Sequence, residues 1–452
     1  MADGLRRDAI GLREVLFQSI TAMAPGAAIA ASIPTGAAFA GGALPLAVVF
    51  ALVASLLCAW CVGVLAREMP AAGSMATYAT RGLHPSIGFL MAWGYALVGL
   101  LLPPLVLLQL GFTTASTLHG EFHGYPGDLW WPWSLLGAVI VLVVGSFGIR
   151  TSARFGTVLG AFEIVVFLVL AVMFIVHAGR HNTASVFGTH YTPSGHSGIA
   201  GVIAGSVYTV LAFGGFESAA PLAEEARDPR RTIPRAVVGA TLAIGLLYIL
   251  TTYAAAVAFG PGRFAGFTSQ GHDSWVGMAR SLYGAFWVLV FLAIVNSTVA
   301  DANAGVNMSS RTAYAMGRIR AFPGVLALVH PRFRSPVVGV GLAFAVTVAV
   351  TLGLGFGYDP VTAFAIVGTA LVIVLAAIYI IVNVTVIGYF GRGGRGFHPI
   401  GHLVVPILGI AAFVPVWLTA AGIPAFSFVT KLQAPVSYAG PAVGVWMGLG
   451  VV

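Results

Sequence analysis

Long apolar runs, separated by short clusters of charge, glycine and proline, dominate this chain. A helix that crosses a bilayer's hydrocarbon layer needs roughly 20 apolar residues, and twelve such runs stand out. Spans 1–6 are expected at 14–40, 43–66, 85–113, 132–149, 153–177 and 199–223. Spans 7–12 are expected at 234–259, 276–305, 336–356, 361–389, 401–420 and 437–452. The last is short, with no polar tail, so the chain is expected to stop inside or just after span 12.

Composition points the same way. Only 8% of the 452 residues are charged and 58% are hydrophobic, with a mean hydropathy of +0.95. A soluble globule carries about a quarter charged residues, so this chain cannot supply a polar shell. The pattern therefore implies an all-α membrane protein, one transmembrane domain over 1–452, with the lipid bilayer as its solvent. It excludes a soluble enzyme and a nucleic-acid-binding domain, although the net charge is +8. With the N-terminus inside, 18 of the 22 basic residues fall on inner segments, from Arg6, Arg7 and Arg13 to Arg392 and Arg395. Only Arg180, Arg263, Arg280 and Lys431 lie outside. This positive-inside bias predicts a plasma (inner) membrane protein with both termini cytoplasmic.

The remaining polar chemistry is sparse. Cys58 and Cys61 form a C-x-x-C inside span 2, where packing is favoured over a redox or metal role. His119, His123, His181, His190 and His196 sit in outer loops without metal-ligand spacing. No Walker A motif or dinucleotide fingerprint is present, and no Ser/His/Asp set at membrane depth suggests an enzyme. Neither a metal nor an organic cofactor is expected.

Helix-breaking residues inside a span point to a site, because lipid tolerates unpaired backbone only where it lines a cavity. Span 1 contains Ala24, Pro25, Gly26, Ala27 and Ala28; span 6 contains Phe213, Gly214, Gly215, Phe216 and Glu217. The alternative is that these small residues only permit close helix packing. Their matched placement, at the first span of each half, favours a site.

The run from Phe213 to Arg235, with Phe213-Gly214-Gly215-Phe216-Glu217, Glu224-Glu225, Asp228-Pro229 and Ile233-Pro234-Arg235, closely resembles the signature of the amino acid–polyamine–organocation (APC) transporter superfamily. Residues 67–95, ending in Trp93-Gly94-Tyr95, resemble the family's segment between spans 2 and 3. Residues 307–337, with Asn307, Arg311, Tyr314, Arg318, Phe322-Pro323 and His330-Pro331, resemble the end of span 8 and the following loop.

The resemblance implies a LeuT-type 5+5 inverted repeat, spans 1–5 (14–177) and 6–10 (199–389) with spans 11–12 (401–452) peripheral, spans 1 and 6 discontinuous, and alternating access. It implies a central site where amides after the span 1 break meet a substrate carboxylate and span 6 carbonyls meet its amine. The small-molecule substrate is then an amino acid or related amine. The family often has Gly-x-Gly in span 1; here Ala27 and Ala28 follow Gly26, which leaves an amine without a carboxylate open.

Three acids lie within spans and only one lysine, Lys431, exists in the chain. By resemblance Glu163 occupies a span 5 position where proton-coupled relatives carry lysine, so it is expected to carry the coupling proton or help hold a cation; a plain packing role is the alternative. Ser297, Thr298 and Asp301 supply oxygens where LeuT-type folds hold sodium, unless Asp301 simply bonds Asn296 or Asn303. Glu217 either caps the helix after the break or attracts a cationic substrate. Glu224, Glu225, Arg227, Asp228 and Arg231 either shape the entry to span 7, with Thr232 as cap and Pro229 and Pro234 as breaks, or form a cytoplasmic gate. The expected activity is import by proton symport. Sodium coupling, exchange, polyamine or inorganic-cation transport, and a non-transporting amino acid sensor are the alternatives.

Overall fold

The computed structural model describes residues 10–71, 73–122, 124–147, 152–318, 323–330, 335–392, 396–427, 429–430 and 432–451. Arg6, Arg7, His123, Phe322, Pro331, Arg395 and Lys431 lie outside the described residues. What is described is helical, apart from an isolated bridge between Ile10 and Ala226.

Nine helical stretches among the described residues are long and apolar enough to cross a membrane. One of them, Leu12–Glu68, contains both span 1 and span 2. Span 4 appears as the shorter apolar helix Trp131–Phe147, and span 12 as Ala439–Leu449, an 11-residue helix. At 1.5 Å per residue that last helix is too short to cross hydrocarbon by itself. The protein is an all-helical integral membrane protein.

The helix ends obey local chemistry. Span 10 (Pro360–Gly391) opens with Pro360 at its first position, and Asp359 Oδ1 accepts from the amides of Val361 and Thr362 at 3.0 and 2.9 Å. These are amides that the first turn leaves without partners. Span 2 (Leu44–Glu68) begins beside Pro45, span 3 runs from Pro85 to Glu121, and span 5 is Ser152–Ala178.

Several boundaries differ from the hydropathy reading. Span 7 starts at Pro229, so Pro234 lies inside the helix. The capping position is held by Asp228, in left-handed geometry at φ +44° and without a side-chain cap bond. Thr232 is within the first turn, and its hydroxyl donates to the Arg227 carbonyl at 2.6 Å, so Thr232 is not the cap. Span 8 is divided by a tight turn into Trp275–Tyr283 and Trp287–Arg318. A helix at Ser74–Gly82, too amphipathic to appear as an apolar run, packs on spans 3 and 10.

Spans 3, 6 and 10 are the most buried, whereas spans 5, 8, 9 and 11 turn about two thirds of their most apolar stretch outward. Their exposed valines and leucines, Val165, Val172, Leu292 and Leu342 among them, face the lipid. Span 2 packs along span 7, and span 3 lies between spans 8 and 10.

Span 12 is fastened to span 3 by a reciprocal pair. The Trp93 and Trp446 rings stack at 4.6 Å; the Trp93 indole donates to the Trp446 carbonyl at 2.9 Å and the Trp446 indole to the Trp93 carbonyl at 3.2 Å. Trp446→Ala is therefore expected to cost about 1–3 kcal/mol, read as a lower melting temperature in detergent. An unchanged melting curve would show that the staple contributes nothing.

Candidate functional site

The two interrupted spans meet at their interruptions. Span 1 is helical over Leu12–Ala22; Ala24 then takes φ +41°, and helix resumes at Pro25. Left-handed geometry costs a non-glycine residue roughly 1–2 kcal/mol, so surrounding structure must enforce it. Span 6 is helical over Ile199–Ala212, turns through Phe213 and Gly214, and continues as a tight 3-10 segment, Phe216–Glu224. Between them Gly215 has φ +106°, and a Cβ there would lie 2.3 Å from the Ala22 carbonyl oxygen. Only glycine satisfies both the torsion and the approach.

Breaking two helices strands carbonyls at membrane depth, and side chains from other spans collect them. The Tyr248 hydroxyl of span 7 is 3.0 Å from both the Met23 and Ala212 carbonyl oxygens, one from each break. Gln109 of span 3 donates to the Ala27 carbonyl at 2.9 Å, and the Trp275 indole to the Ile29 carbonyl at 2.8 Å. Ser19 donates to the Phe216 carbonyl at 2.7 Å. Of the five span 1 residues expected at the site, Ala28 has its amide on the Ala24 carbonyl at 2.9 Å. The first-turn amides of Gly26 and Ala27 have no intrahelical acceptor and are the donors this break can offer, the Gly26 amide lying close enough to the Glu163 carboxyl to act on it.

Beside those amides lies a group of oxygens. A Cβ on Gly26 would meet Glu163 Oε2 at 2.7 Å, the Ser297 side chain at 3.0 Å and the Ala293 carbonyl at 3.1 Å. Spans 1, 5 and 8 therefore converge at Gly26. Asp301 follows one turn after Ser297 and is close enough to act electrostatically on Glu163. Glu163, Ser297 and Asp301 are buried, and Glu163 Oε2, Ser297 Oγ and Asp301 Oδ1 have no hydrogen-bond partner among the described residues. Thr298 stands apart from them, its hydroxyl donating to the Val295 carbonyl of its own helix at 2.9 Å. Asn296 reaches the Leu159 carbonyl of span 5 at 3.3 Å.

Glu217 is the opposite case. Tyr95 of span 3 donates to its Oε1, while Tyr379 of span 10 and the Gly215 amide donate to its Oε2 at 3.1 and 3.2 Å. Three donors on this chain thus hold the carboxyl. Phe213 and Phe216 are fully buried, Phe213 edge-on to Tyr248 at 5.3 Å and Phe216 against Tyr379 at 5.1 Å. They are walls that position the tyrosines.

The connector between spans 6 and 7 is held mainly by backbone. Ile10 donates to the Glu225 carbonyl at 3.2 Å and accepts from the Arg227 amide at 2.9 Å. Glu224 ends the 3-10 segment, and Glu225 lies within electrostatic reach of Arg311 on span 8. Asp228 and Arg231 pair at 3.6 Å but are largely exposed, a pair worth at most about 1 kcal/mol. Cys58 and Cys61 are free and buried; the Cys61 thiol faces Asn383 Oδ1 at 3.1 Å.

A family profile described as amino acid permease matches residues 14–439. The chain belongs to the amino acid permease family. Among its relatives is a low-affinity putrescine importer of Escherichia coli (strain K12), 28% identical over 306 residues that cover 66% of this chain and 65% of the importer, just under two thirds of that relative. A branched-chain amino acid permease of Bacillus subtilis (strain 168) is 25% identical over 72% of this permease and 71% of its own length. A cationic amino acid transporter 4 of Mus musculus is 28% identical over 67% of this chain and 48% of its own.

In this chain the residues that complete the candidate site, Gln109, Tyr248, Trp275 and Tyr379, do not announce themselves as a motif. For Gln109, Tyr248 and Tyr379 the only signal is a hydrogen-bonding side chain in the middle of an apolar run; Trp275 stands at the first position of its helix, just ahead of the run. Tyr248→Phe strands two buried carbonyls without creating a large void and is expected to cost about 1–3 kcal/mol, measured by thermal unfolding beside Phe213→Leu as a packing control. A Tyr248→Phe protein as stable as wild type would remove the bridge from the account. Glu217→Gln leaves an amide among three donors, so its melting temperature should fall by a similar margin; an unaltered value would show that the carboxyl is not held as described.

Proposed function

We propose that this permease is a secondary active transporter that imports an amino acid or related amine by alternating access in a LeuT-type 5+5 inverted repeat, coupled to protons. The carrying observation is the convergence of Glu163 and Ser297 on Gly26, directly beside the broken backbone of span 1, with Asp301 one turn beyond Ser297 and in electrostatic reach of Glu163. An acid buried at membrane depth with no cationic partner and one carboxylate oxygen short of a donor is placed to take a proton or a cation. Glu163 touches the segment whose amides would receive a substrate carboxylate, so its charge state and substrate binding act on the same few atoms. In this reading Glu163 carries the coupling proton and Asp301 sets the local field. Protonation relieves the repulsion between the two acids and favours the form that holds substrate.

The family and the named activities of its relatives support the substrate class. The Gly26 and Ala27 amides favour a carboxylate-bearing amino acid. The Met23 and Ala212 carbonyls, although bridged by Tyr248, keep a second lone pair each for the substrate amine. A second reading, an amine such as a polyamine, is favoured by the putrescine importer among the relatives and by two span acids without a nearby lysine. Sodium held by Ser297 and Asp301 is the coupling alternative. The charge distribution supports a plasma-membrane location with both termini cytoplasmic.

Uptake of labelled amino acids and polyamines into sodium-free proteoliposomes tests the proposal. An inward proton gradient is expected to drive accumulation of at least one amino acid. Glu163→Gln is expected to reduce that accumulation at least about tenfold while sparing exchange between preloaded vesicles, since proton carriage alone is lost. Accumulation that needs sodium, or that Glu163→Gln leaves intact, would overturn proton coupling through Glu163.

A further inference from the structure

Where span 2 ends, span 10 ends and span 11 begins, a cleft of about 270 Å³ opens on the membrane face that also carries residue 10. It is lined by Trp60, Arg67, Glu68, Phe390, His398 and His402. This cleft is remote in sequence from the broken spans and shares no residue with the site described above.

Its polar groups are mainly donors. The His398 amide donates to His402 Nδ1 at 3.0 Å, and the Gly401 amide to His398 Nδ1 at 3.3 Å. With both Nδ1 atoms used as acceptors, each neutral ring carries its hydrogen on Nε2 and can offer a ligand only a donor. The His402 ring is fixed further by stacking on Phe390 at 3.7 Å. Arg67 adds a guanidinium and Trp60 an indole N–H. The first turn of span 11 adds the positive end of a helix dipole. Glu68 is the one acid on the lining, and among the described residues neither it nor Arg67 belongs to an ion pair. With the rings neutral the lining carries one guanidinium and one carboxylate, so what it offers an anion is a set of donors, the Arg67 guanidinium, the two Nε2–H groups and the Trp60 indole, and not an excess of positive charge.

The surroundings settle which kind of anion fits. Trp60 is 47% exposed, and beyond the mouth Ile400, Leu403, Val404 and Ile407 present an exposed apolar strip along span 11. Donors at the water boundary with an apolar track leading into hydrocarbon match an amphiphile that carries a phosphate. A tryptophan toward the end of a span is characteristic of the membrane interface. We propose that this cleft binds the headgroup of an anionic phospholipid, its phosphate held by Arg67, His398 and His402 and its acyl chains lying along span 11.

The test is native mass spectrometry of the full-length protein titrated with phosphatidylglycerol or with phosphatidylcholine of the same acyl chains. Wild type is expected to retain phosphatidylglycerol at about tenfold lower lipid concentration, and Arg67→Gln to lose about fivefold of that preference. Combining it with His398→Gln and His402→Gln should abolish the preference. Arg67 is exposed, so the single variant separates loss of the site from loss of the fold, with melting temperature as the check. No lipid preference in wild type, or a preference that survives Arg67→Gln in a folded protein, overturns the proposal. Excess inorganic phosphate distinguishes the source of the anion: a retained phosphatidylglycerol adduct supports a lipid site, and complete displacement overturns it in favour of a soluble anion.

Discussion

A hydroxyl shared between two broken helices is the constraint on which the centre of this molecule depends. Hydrocarbon offers no water to an unpaired carbonyl, so a span can be interrupted only where the protein supplies the missing partner. Tyr248 does this for Met23 in span 1 and Ala212 in span 6 together, at 3.0 Å each. Because one hydroxyl serves both, the two interruptions must stay side by side. Gly215 then becomes obligatory, since its neighbour across the gap is the Ala22 carbonyl. The left-handed Ala24 is tolerated because the chain on either side is fixed by Tyr248, Gln109 and Trp275.

The two acids nearest the breaks divide the work. Glu217 is surrounded by donors from spans 3, 6 and 10 and ties the span 6 break to its neighbours. Glu163 sits where span 5 approaches Gly26, Asp301 lies on span 8 in electrostatic reach of it, and each has an oxygen without a partner. A carboxyl with all its acceptors engaged stabilises one arrangement; a carboxyl left short of donors responds to whatever proton or cation arrives. Placing the second kind against the backbone of a break lets a change of charge act on the segment that would hold substrate.

Much of this was readable in the residues, and the limits of reading have physical causes. Apolar runs are set by the bilayer's thickness, so the spans are visible one residue at a time; Gly214-Gly215 marks the span 6 break, whereas Pro25-Gly26 marks the first turn after the span 1 break, which falls at Met23-Ala24. The grouping of Glu163, Ser297 and Asp301 was legible only through a family resemblance, because residues 163 and 297 are brought together by helix packing. Tyr248, Tyr379 and Gln109 escaped notice because an isolated polar side chain in an apolar run carries no sign of which carbonyl it will reach. Thr232 was misread as a cap because sequence favours Ser, Thr, Asp or Asn at that position, and Asp228 stands four residues earlier beside Pro229. The inner clamp through Ile10 is a backbone contact, which leaves no trace in side-chain chemistry.

The distribution of ties also says where the molecule can bend. Below the breaks, Ser19 holds the Phe216 carbonyl, Ser218 holds the Gln18 carbonyl at 3.3 Å, and Ile10 is bridged to 225–227. The segments of spans 1 and 6 on the side of Ile10 are therefore bound to each other. Above the breaks, Gln109 and Trp275 bind the continuing part of span 1 to spans 3 and 8. A relative movement of the two groups must pass through Met23-Ala24 and through Phe213–Gly215, where helical hydrogen bonding has already been surrendered and rotation breaks the fewest bonds. Tyr248 spans both hinges, and Gly26, beside Glu163, is two residues from one of them. In the proposed coupling, charge on Glu163 would act on the hinge of span 1 directly, without any longer path between the acid and the segment that moves.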